Sequence, residues 1–354
     1  MPHTHSILEG DCLEVMKTFP DNHFSSIVTD PPYGLGFMGK EWDAGLPHEL
    51  IWKEALRVVK PGGFLLAFGG TRTYHRLTCS IEDAGWEIRD CIMWLYGSGF
   101  PKSLDVSKAI DKTSGVEIQT RGHFRFASGD PCKTEGSFRT NEERQNPGCK
   151  KMKPTTALAK QFDGYGTALK PAYEPIIVAM KPLDGTFANN AEVWGQAGIN
   201  IDGCRVGTSK PKCKNTTFES WRNLEGRADR QRPIQTYDEN KGRWPANIIL
   251  DKEAATLLDQ QSGGMPSRYF YCAKASSKER SSSNNHPTVK PLALMEYLIK
   301  LVSPPTNALI LDPFAGSGTT ILAAKRLCIS AIGIEKCPEY VEMARNRLQN
   351  GELF

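Results

Sequence analysis

The chain has 354 residues, 39% of them hydrophobic and 24% charged, and a formal net charge of +4. That is enough to bury a large core in one big domain with a smaller companion, and no apolar run approaches the ~20 residues that a membrane span needs. The opening Met1-Pro2-His3-Thr4-His5 has no basic segment leading into an apolar one, so a cytoplasmic location without a leader or a membrane is expected.

The ten cysteines suggest neither a disulfide framework nor a metal site. Cys12, Cys79, Cys91, Cys272 and Cys328 lie in apolar or periodic segments, where cysteine is a small buried hydrophobe. Cys132, Cys149, Cys204 and Cys213 lie in polar stretches without a two- to four-residue zinc spacing. Positive charge is concentrated: residues 121–170 and 205–244 each carry ten Lys/Arg against five Asp/Glu, leaving the remainder net acidic. Such segregation points to a polyanion met by particular segments, although two solvated loops would give the same count.

In chain order, His5–Asp11 reads as a short strand ending in an acidic residue, and Cys12–Met16 as a turn of helix broken at Pro20-Asp21-Asn22. Ser26-Ile27-Val28 then runs into Thr29-Asp30-Pro31-Pro32-Tyr33-Gly34. A β-branched run stopping at Asp-Pro-Pro is a buried parallel strand delivering a carboxylate to the carboxyl edge of a sheet, or else an ordinary turn. The two prolines fix φ and remove two donors, which leaves a stiff loop whose carbonyls are free to accept. Leu46–Val59 has helical spacing, Phe64–Phe68 is a fully apolar strand, Thr71–Ala84 is a second helix and Trp86–Tyr96 a long strand. This β-α-β-α-β alternation predicts a parallel sheet covered on both faces.

From Gly97 to about Leu169 the period dissolves. Pro175–Met180 returns the chain to the sheet, and residues 184–268 are irregular again except for a helix-like patch at Ala254–Leu258. Inserts this long are functional or disordered, and both coincide with the basic windows, which favours function. Tyr269–Cys272 reads as a short strand, and Pro291 as the start of a helix with Leu292, Leu294, Met295, Leu298, Ile299 and Val302 on its apolar face. Ala308–Leu311 is a buried strand, Ile321–Leu327 a helix, and Ala331–Ile334 a strand ending at Glu335; Pro338 opens a last helix to Leu348.

A strand, Gly316-x-Gly318, a helix, a strand and an acidic residue make the layout of a nucleoside-binding crevice. Small residues let the backbone approach a ligand, and Glu335, 17 positions after Gly318, can accept from both ribose hydroxyls. The third glycine of the dinucleotide fingerprint is replaced by Ile321, and Asp312 stands where a pyrophosphate would approach. A negative strand end favours a cation such as S-adenosyl-L-methionine, with its ammonium and sulfonium, over NAD.

Asp312-Pro313-Phe314-Ala315-Gly316-Ser317-Gly318-Thr319-Thr320, with Asp30-Pro31-Pro32-Tyr33 and His286-Pro287-Thr288-Val289-Lys290-Pro291, resembles the amino-group DNA methyltransferases in their permuted (β-type) order, catalytic motif before cofactor motif. Residues 97–103, 168–175 and 271–276 extend the likeness to the phage and prophage type of site-specific enzyme. The resemblance implies an α/β, Rossmann-like, doubly wound and mostly parallel sheet with basic target-recognition inserts. It also implies S-adenosyl-L-methionine as cofactor, double-stranded DNA as partner, a homodimer, and a bacterial or phage-infected cytoplasm. The catalytic half would be residues 1–112, the inserts 113–168 and 184–265, a core strand 169–183, and the cofactor half 266–354.

By the same resemblance, Asp312, Phe314, Gly316, Ser317, Gly318 and Thr319 wall the methionine half of the cofactor, and Glu335 takes the ribose. Asp11 meets the adenine amino group or caps the next helix, and His286, Thr288 and Lys290 reach the cofactor's carboxylate, with plain solvation the alternative for Lys290. Asp30 borders both cofactor and catalytic sites. Asp30 and the Pro31 carbonyl, stiffened by Pro32, accept the two N–H groups of an exocyclic amine, and Tyr33 stacks on an extruded base. Aspartate at position 30 leans to adenine N6, with cytosine N4 as the alternative. RNA or protein-amide methylation, an inactive DNA-binding module and a dehydrogenase fit less well. Trp194, Trp221 and Trp244 stack on bases or, more plainly, anchor a small core.

Overall fold

The computed structural model describes residues 3–35, 45–99, 103–115, 154–207, 242–273 and 290–349. The chain divides into two compact units, residues 1–98 with 172–354, and residues 99–171. The described strands are β1 (His5–Glu9), β2 (Ser26–Thr29), β3 (Phe64–Phe68), β4 (Glu87–Leu95), β5 (Tyr173–Met180), β6 (Ile248–Asp251), β7 (Tyr271–Ala273), β8 (Leu309–Asp312) and β9 (Ser330–Glu335). The described helices are α1 (Cys12–Met16), α2 (Glu49–Val58), α3 (Tyr74–Asp83), α4 (Val106–Thr113), α5 (Ala157–Gln161), α6 (Phe187–Trp194), α7 (Lys252–Ser262), α8 (Leu292–Val302), α9 (Thr319–Arg326) and α10 (Pro338–Gln349).

The strands of the first unit form one nine-stranded sheet in the order β1-β9-β8-β2-β3-β5-β4-β6-β7. Every pairing is parallel except the two made by β5, which runs against both β3 and β4. The fold is thus the α/β, mostly parallel one expected, with one reversed strand wedged into it. Helices cover both faces. Ile27, Leu65, Ala67 and Leu311 pack with α1, α2 and α3, while Val28, Leu66, Phe68 and Ile310 pack with α8, α9 and α10. A strand buried on both faces favours apolar residues at every position, as in Phe64–Phe68, and a polar one there is hydrogen-bonded, as Ser26 and Thr29 are in β2. Truncating a large side chain there, such as Phe68, costs about 3–5 kcal/mol. The α8 helix is buried beyond the single face expected, since Tyr297 and Leu301 are also enclosed.

Residues 184–268 are more regular than their composition suggested, for they hold α6, β6 and α7, and β6 pairs with β4. A four-residue strand is too short to show a period. The strand expected at Tyr269–Cys272 begins two residues later, because Pro266–Tyr269 is a short 3-10 turn. Cys79 and Cys328 are exposed, whereas Cys204, from a polar stretch, is buried. Trp194 donates to Asp184 at 3.0 Å, and Trp244 is 65% exposed with the Arg205 guanidinium 5.4 Å from its ring centre. Trp221 and most of both basic windows, residues 116–153 and 208–241, lie outside the described residues. No described helix is long and apolar enough to cross a membrane.

Within the second unit, α4 was not foreseen. Asp105 caps it by accepting from Lys108 N at 3.2 Å. Asp111 of α4 binds the start of α5 by accepting from Thr155 N at 2.8 Å and from Thr156 N at 3.0 Å.

Candidate active site

The β2 and β8 strands are neighbours near the centre of the sheet, and the chain order departs from them in opposite directions, toward β3 on one side and β9 on the other. In open α/β sheets such a switch point opens a crevice beyond the carboxyl ends of the strands. Four adjacent strands, β1, β9, β8 and β2, end here within two residues of an acidic side chain: Asp11, Glu335, Asp312 and Asp30.

Thr29, the fully buried last residue of β2, donates its hydroxyl to Asp312 Oδ1 at 2.7 Å. Phe314 N donates to the same oxygen at 3.1 Å, and Thr320 also bonds this carboxylate. Burial pushes Asp312 up to about 6 despite those three bonds, and the nearby charge of Asp30 acts in the same direction. One hydroxyl therefore ties the two motif-bearing strand ends together.

The next residue has a different environment. The Tyr33 hydroxyl donates to Asp30 Oδ1 at 2.8 Å, and Lys290 Nζ donates to Asp30 Oδ2 at 2.5 Å. Glu174 completes the group, its Oε2 lying 3.1 Å from the Tyr33 hydroxyl and 3.2 Å from Lys290 Nζ. Lys290 is only 8% exposed, with its ammonium 4.8 Å from the centre of the Phe68 ring and 5.4 Å from that of Tyr33. Burial favours the neutral amine, but Asp30 and Glu174 together outweigh it and raise the Lys290 pKa above its ordinary value. Burial, then the two carboxylates, drives the Tyr33 phenol well above its ordinary value, so it remains a proton donor. Thr73, capping α3, donates to the Tyr33 carbonyl at 2.7 Å and fixes the loop from behind.

Glu174 reaches this edge because β5 is reversed. In its register Glu174 faces Trp94 and Ile176 faces Phe68, so the amino end of β5 lies beside the carboxyl ends of β3 and β4. A parallel strand would have carried it to the opposite edge.

Beyond β8 the loop turns through left-handed glycines, Gly316 at φ +51° and Gly318 at φ +78°. A Cβ on Gly318 would stand 2.9 Å from Ala344 Cβ of α10. Glu335 holds the loop from the next strand: Gly316 N donates to its Oε2 and Cys337 N to its Oε1, both at 2.8 Å. Arg347 of α10 holds the other side, donating to the Ser317 carbonyl at 2.6 Å, to Ser317 Oγ at 3.0 Å and to Thr319 Oγ1 at 3.2 Å. Asp11 caps α1 by accepting from Leu13 N at 3.1 Å, and also accepts from Lys336 Nζ at 3.3 Å.

The structure thus gathers Asp11, Asp30, Pro31, Pro32, Tyr33, Asp312, Gly316, Gly318 and Glu335 at one edge. The other expected site residues have the following partners. Lys290, expected at a cofactor carboxylate, is bonded to Asp30 and Glu174. The Ser317 and Thr319 hydroxyls are engaged by Arg347, and Phe314 packs on Trp52 with ring centres 6.1 Å apart. His286 and Thr288 lie outside the described residues. Sequence reasoning missed Glu174, Thr29 and Arg347. Glu174 does carry a signal, a carboxylate opening the otherwise apolar run to Met180, whereas Arg347 looks like any charge on a terminal helix.

The profile of the family described as DNA methylase, N6_N4_Mtase, matches residues 24–346. The Type II methyltransferase M.HindIII of Haemophilus influenzae is 52% identical over 97% of this chain and 94% of its own length. M.HpaI of Haemophilus parainfluenzae is 43% identical over 96% of this chain and 73% of its own. Several other likenesses are partial: M2.LlaDCHI of Lactococcus lactis subsp. cremoris is 37% identical over 28% of this chain, which spans 36% of that relative's length. With the profile running from just before β2 into the last helix, the chain belongs to the N6_N4_Mtase family of DNA methylases.

Proposed function

We propose that the protein is a site-specific DNA methyltransferase that moves a methyl group from S-adenosyl-L-methionine to N6 of an adenine flipped out of double-stranded DNA. The observation that carries this reading is the pair of adjacent strand ends, Asp30-Pro31-Pro32-Tyr33 and the Gly316–Gly318 loop, joined by the Thr29–Asp312 bond. The residues fit the cofactor by their chemistry. Left-handed glycines turn the loop at the strand end, and Asp11, Asp312 and Glu335 suit a molecule with two cationic centres and a ribose. The same carboxylates oppose a pyrophosphate.

When bound, S-adenosyl-L-methionine supplies a methyl group on a positively charged sulfur. The exocyclic amine of a base is a poor nucleophile because its lone pair is delocalised into the ring. Asp30 accepts one of its N–H groups and the Pro31 carbonyl, held rigid by Pro32, accepts the other. Two directed acceptors draw the nitrogen toward tetrahedral geometry, and positioning supplies most of the rate. A carboxylate has about four acceptor positions, so the bonds from Tyr33 and Lys290 leave Asp30 capacity for the amine. The Tyr33 ring stacks on the extruded base and replaces part of its lost stacking. The amine proton becomes acidic on alkylation and needs no strong base.

The choice of adenine rests on aspartate at position 30. The basic segments at 113–168 and 184–265 serve target recognition, with Lys/Arg on phosphates and a few polar side chains on base edges. Homodimer formation follows from the family resemblance and is read by sedimentation. The test of the whole reading is incubation with methyl-labelled S-adenosyl-L-methionine and mixed DNA, RNA and protein, followed by nucleoside analysis. N6-methyladenine in DNA supports it, N4-methylcytosine overturns the choice of base, and label absent from DNA overturns the function.

A further inference from the structure

Glu174 has no part in the mechanism above, yet it touches both of the groups that bond the catalytic carboxylate. Tyr33 has a single hydroxyl proton to donate, and two carboxylates compete for it, Asp30 at 2.8 Å and Glu174 at 3.1 Å. Lys290 has three protons and serves both carboxylates at once, 2.5 Å from Asp30 and 3.2 Å from Glu174, and it also donates to the Tyr33 hydroxyl oxygen at 3.1 Å. In both pairs the shorter distance falls on Asp30, the residue that must accept from the target amine. Asp30 keeps acceptor capacity for an incoming N–H but has to turn a free lone pair toward it, and a buried donor left without a partner by that turn is costly.

We infer that Glu174 is a positioning residue that offers the Tyr33 hydroxyl and the Lys290 ammonium a second acceptor, so that Asp30 can turn to the target base. The inference rests on the methyltransferase reading above. The exchange needs little motion: the phenol proton rotates about its C–O bond between two oxygens already in reach, and the ammonium, already bonded to Glu174 and to the phenol oxygen, keeps those acceptors as Asp30 turns. No heavy atom of the strand has to move. The reversed strand β5 supplies this acceptor from the far side of Tyr33, independently of the loop that carries Asp30. A residue that merely neutralised a buried lysine would not need to lie within hydrogen-bond reach of the phenol.

The test is a double-mutant cycle in kcat at saturating S-adenosyl-L-methionine and DNA, with Glu174→Ala and the isosteric Glu174→Gln, each in wild-type and Tyr33→Phe backgrounds. Glu174→Ala is expected to lower kcat by about tenfold or more, the rate equivalent of one hydrogen bond misplaced in the transition state. The KM for S-adenosyl-L-methionine should stay within about twofold, as for an interaction made in the chemical step. Gln keeps an acceptor for the phenol and should restore part of the activity. In the Tyr33→Phe background, which has no hydroxyl to rehouse, Glu174→Ala should cost clearly less. An equal drop in both backgrounds, no rescue by Gln, or a raised KM with kcat unchanged overturns the inference while leaving the methyltransferase reading intact. A wild-type protein that labels no DNA overturns that reading, and the inference with it.

Discussion

The two central strands end alike in sequence, in Asp30-Pro31 after β2 and Asp312-Pro313 after β8, and are held in opposite ways. Asp30 is half-buried and bonded by a phenol and an ammonium, partners that it shares with Glu174. Asp312 is enclosed and bonded by two threonine hydroxyls and a backbone N–H, all neutral, with the threonines fixed in a strand and a helix. In the proposed mechanism the first set of partners is exchanged for a substrate, whereas the second cannot move without disturbing the sheet. An Asp-Pro strand end then takes its role from its neighbours. On that reading one carboxylate makes and breaks hydrogen bonds, and the other presents a fixed charge beside the glycine loop.

The sharpest way to break this division is Asp30→Ala. It should lower methyl transfer by about a thousandfold or more in single-turnover assays, the scale of removing a preorganised transition-state hydrogen bond. A drop under tenfold would remove Asp30 from the chemistry. On the other strand, Gly318→Ala forces a side chain into left-handed backbone at φ +78° and against Ala344. Strain of about 1–3 kcal/mol is expected in denaturation, with a raised cofactor KM and kcat nearly unchanged. Thr29→Val takes one donor from the buried Asp312 carboxylate. Stability should fall by about 1–3 kcal/mol at neutral pH, and Asp312 should titrate still higher, because a bond favouring its charged form is gone.

The smallest effect is one of pH. Asp312 is pushed up to about 6 from an ordinary 3.8, so the folded protein holds this proton more tightly than the unfolded chain. Its contribution to stability is therefore greatest below the ordinary value and is lost as pH rises through about 6, opposite to a salt-bridged carboxylate. Charge is lost in the other direction. Cofactor KM should rise as pH falls through about 6 in the wild type, and Asp312→Asn should flatten that dependence.

Much of this arrangement can be read from the residues because the two motifs sit at the ends of apolar runs. Ser26-Ile27-Val28 and Ile310-Leu311 are buried on both faces, and such strands leave little choice of fold. What could not be read depends on direction and distance in space. Nothing local in Pro175–Met180 says that it runs backwards, so nothing in the sequence sends Glu174 to the catalytic edge and not away from it. Lys290 looks like the start of a helix near a cofactor, and only the packing of α8 against the sheet brings its ammonium to Asp30. Arg347 is the extreme case, 28 residues beyond the Thr319 hydroxyl it binds. Strand β6 escaped notice because four residues between a basic segment and a helix show no alternation.

Equilibrium binding of S-adenosyl-L-methionine to the Asp30→Asn and Asp312→Asn proteins tests the division of labour most directly. Asp30→Asn should bind within a few-fold of wild type, while Asp312→Asn should bind about tenfold or more weakly, the scale of removing one charge-assisted hydrogen bond. Equal weakening of both proteins, or a larger effect at Asp30, would contradict it.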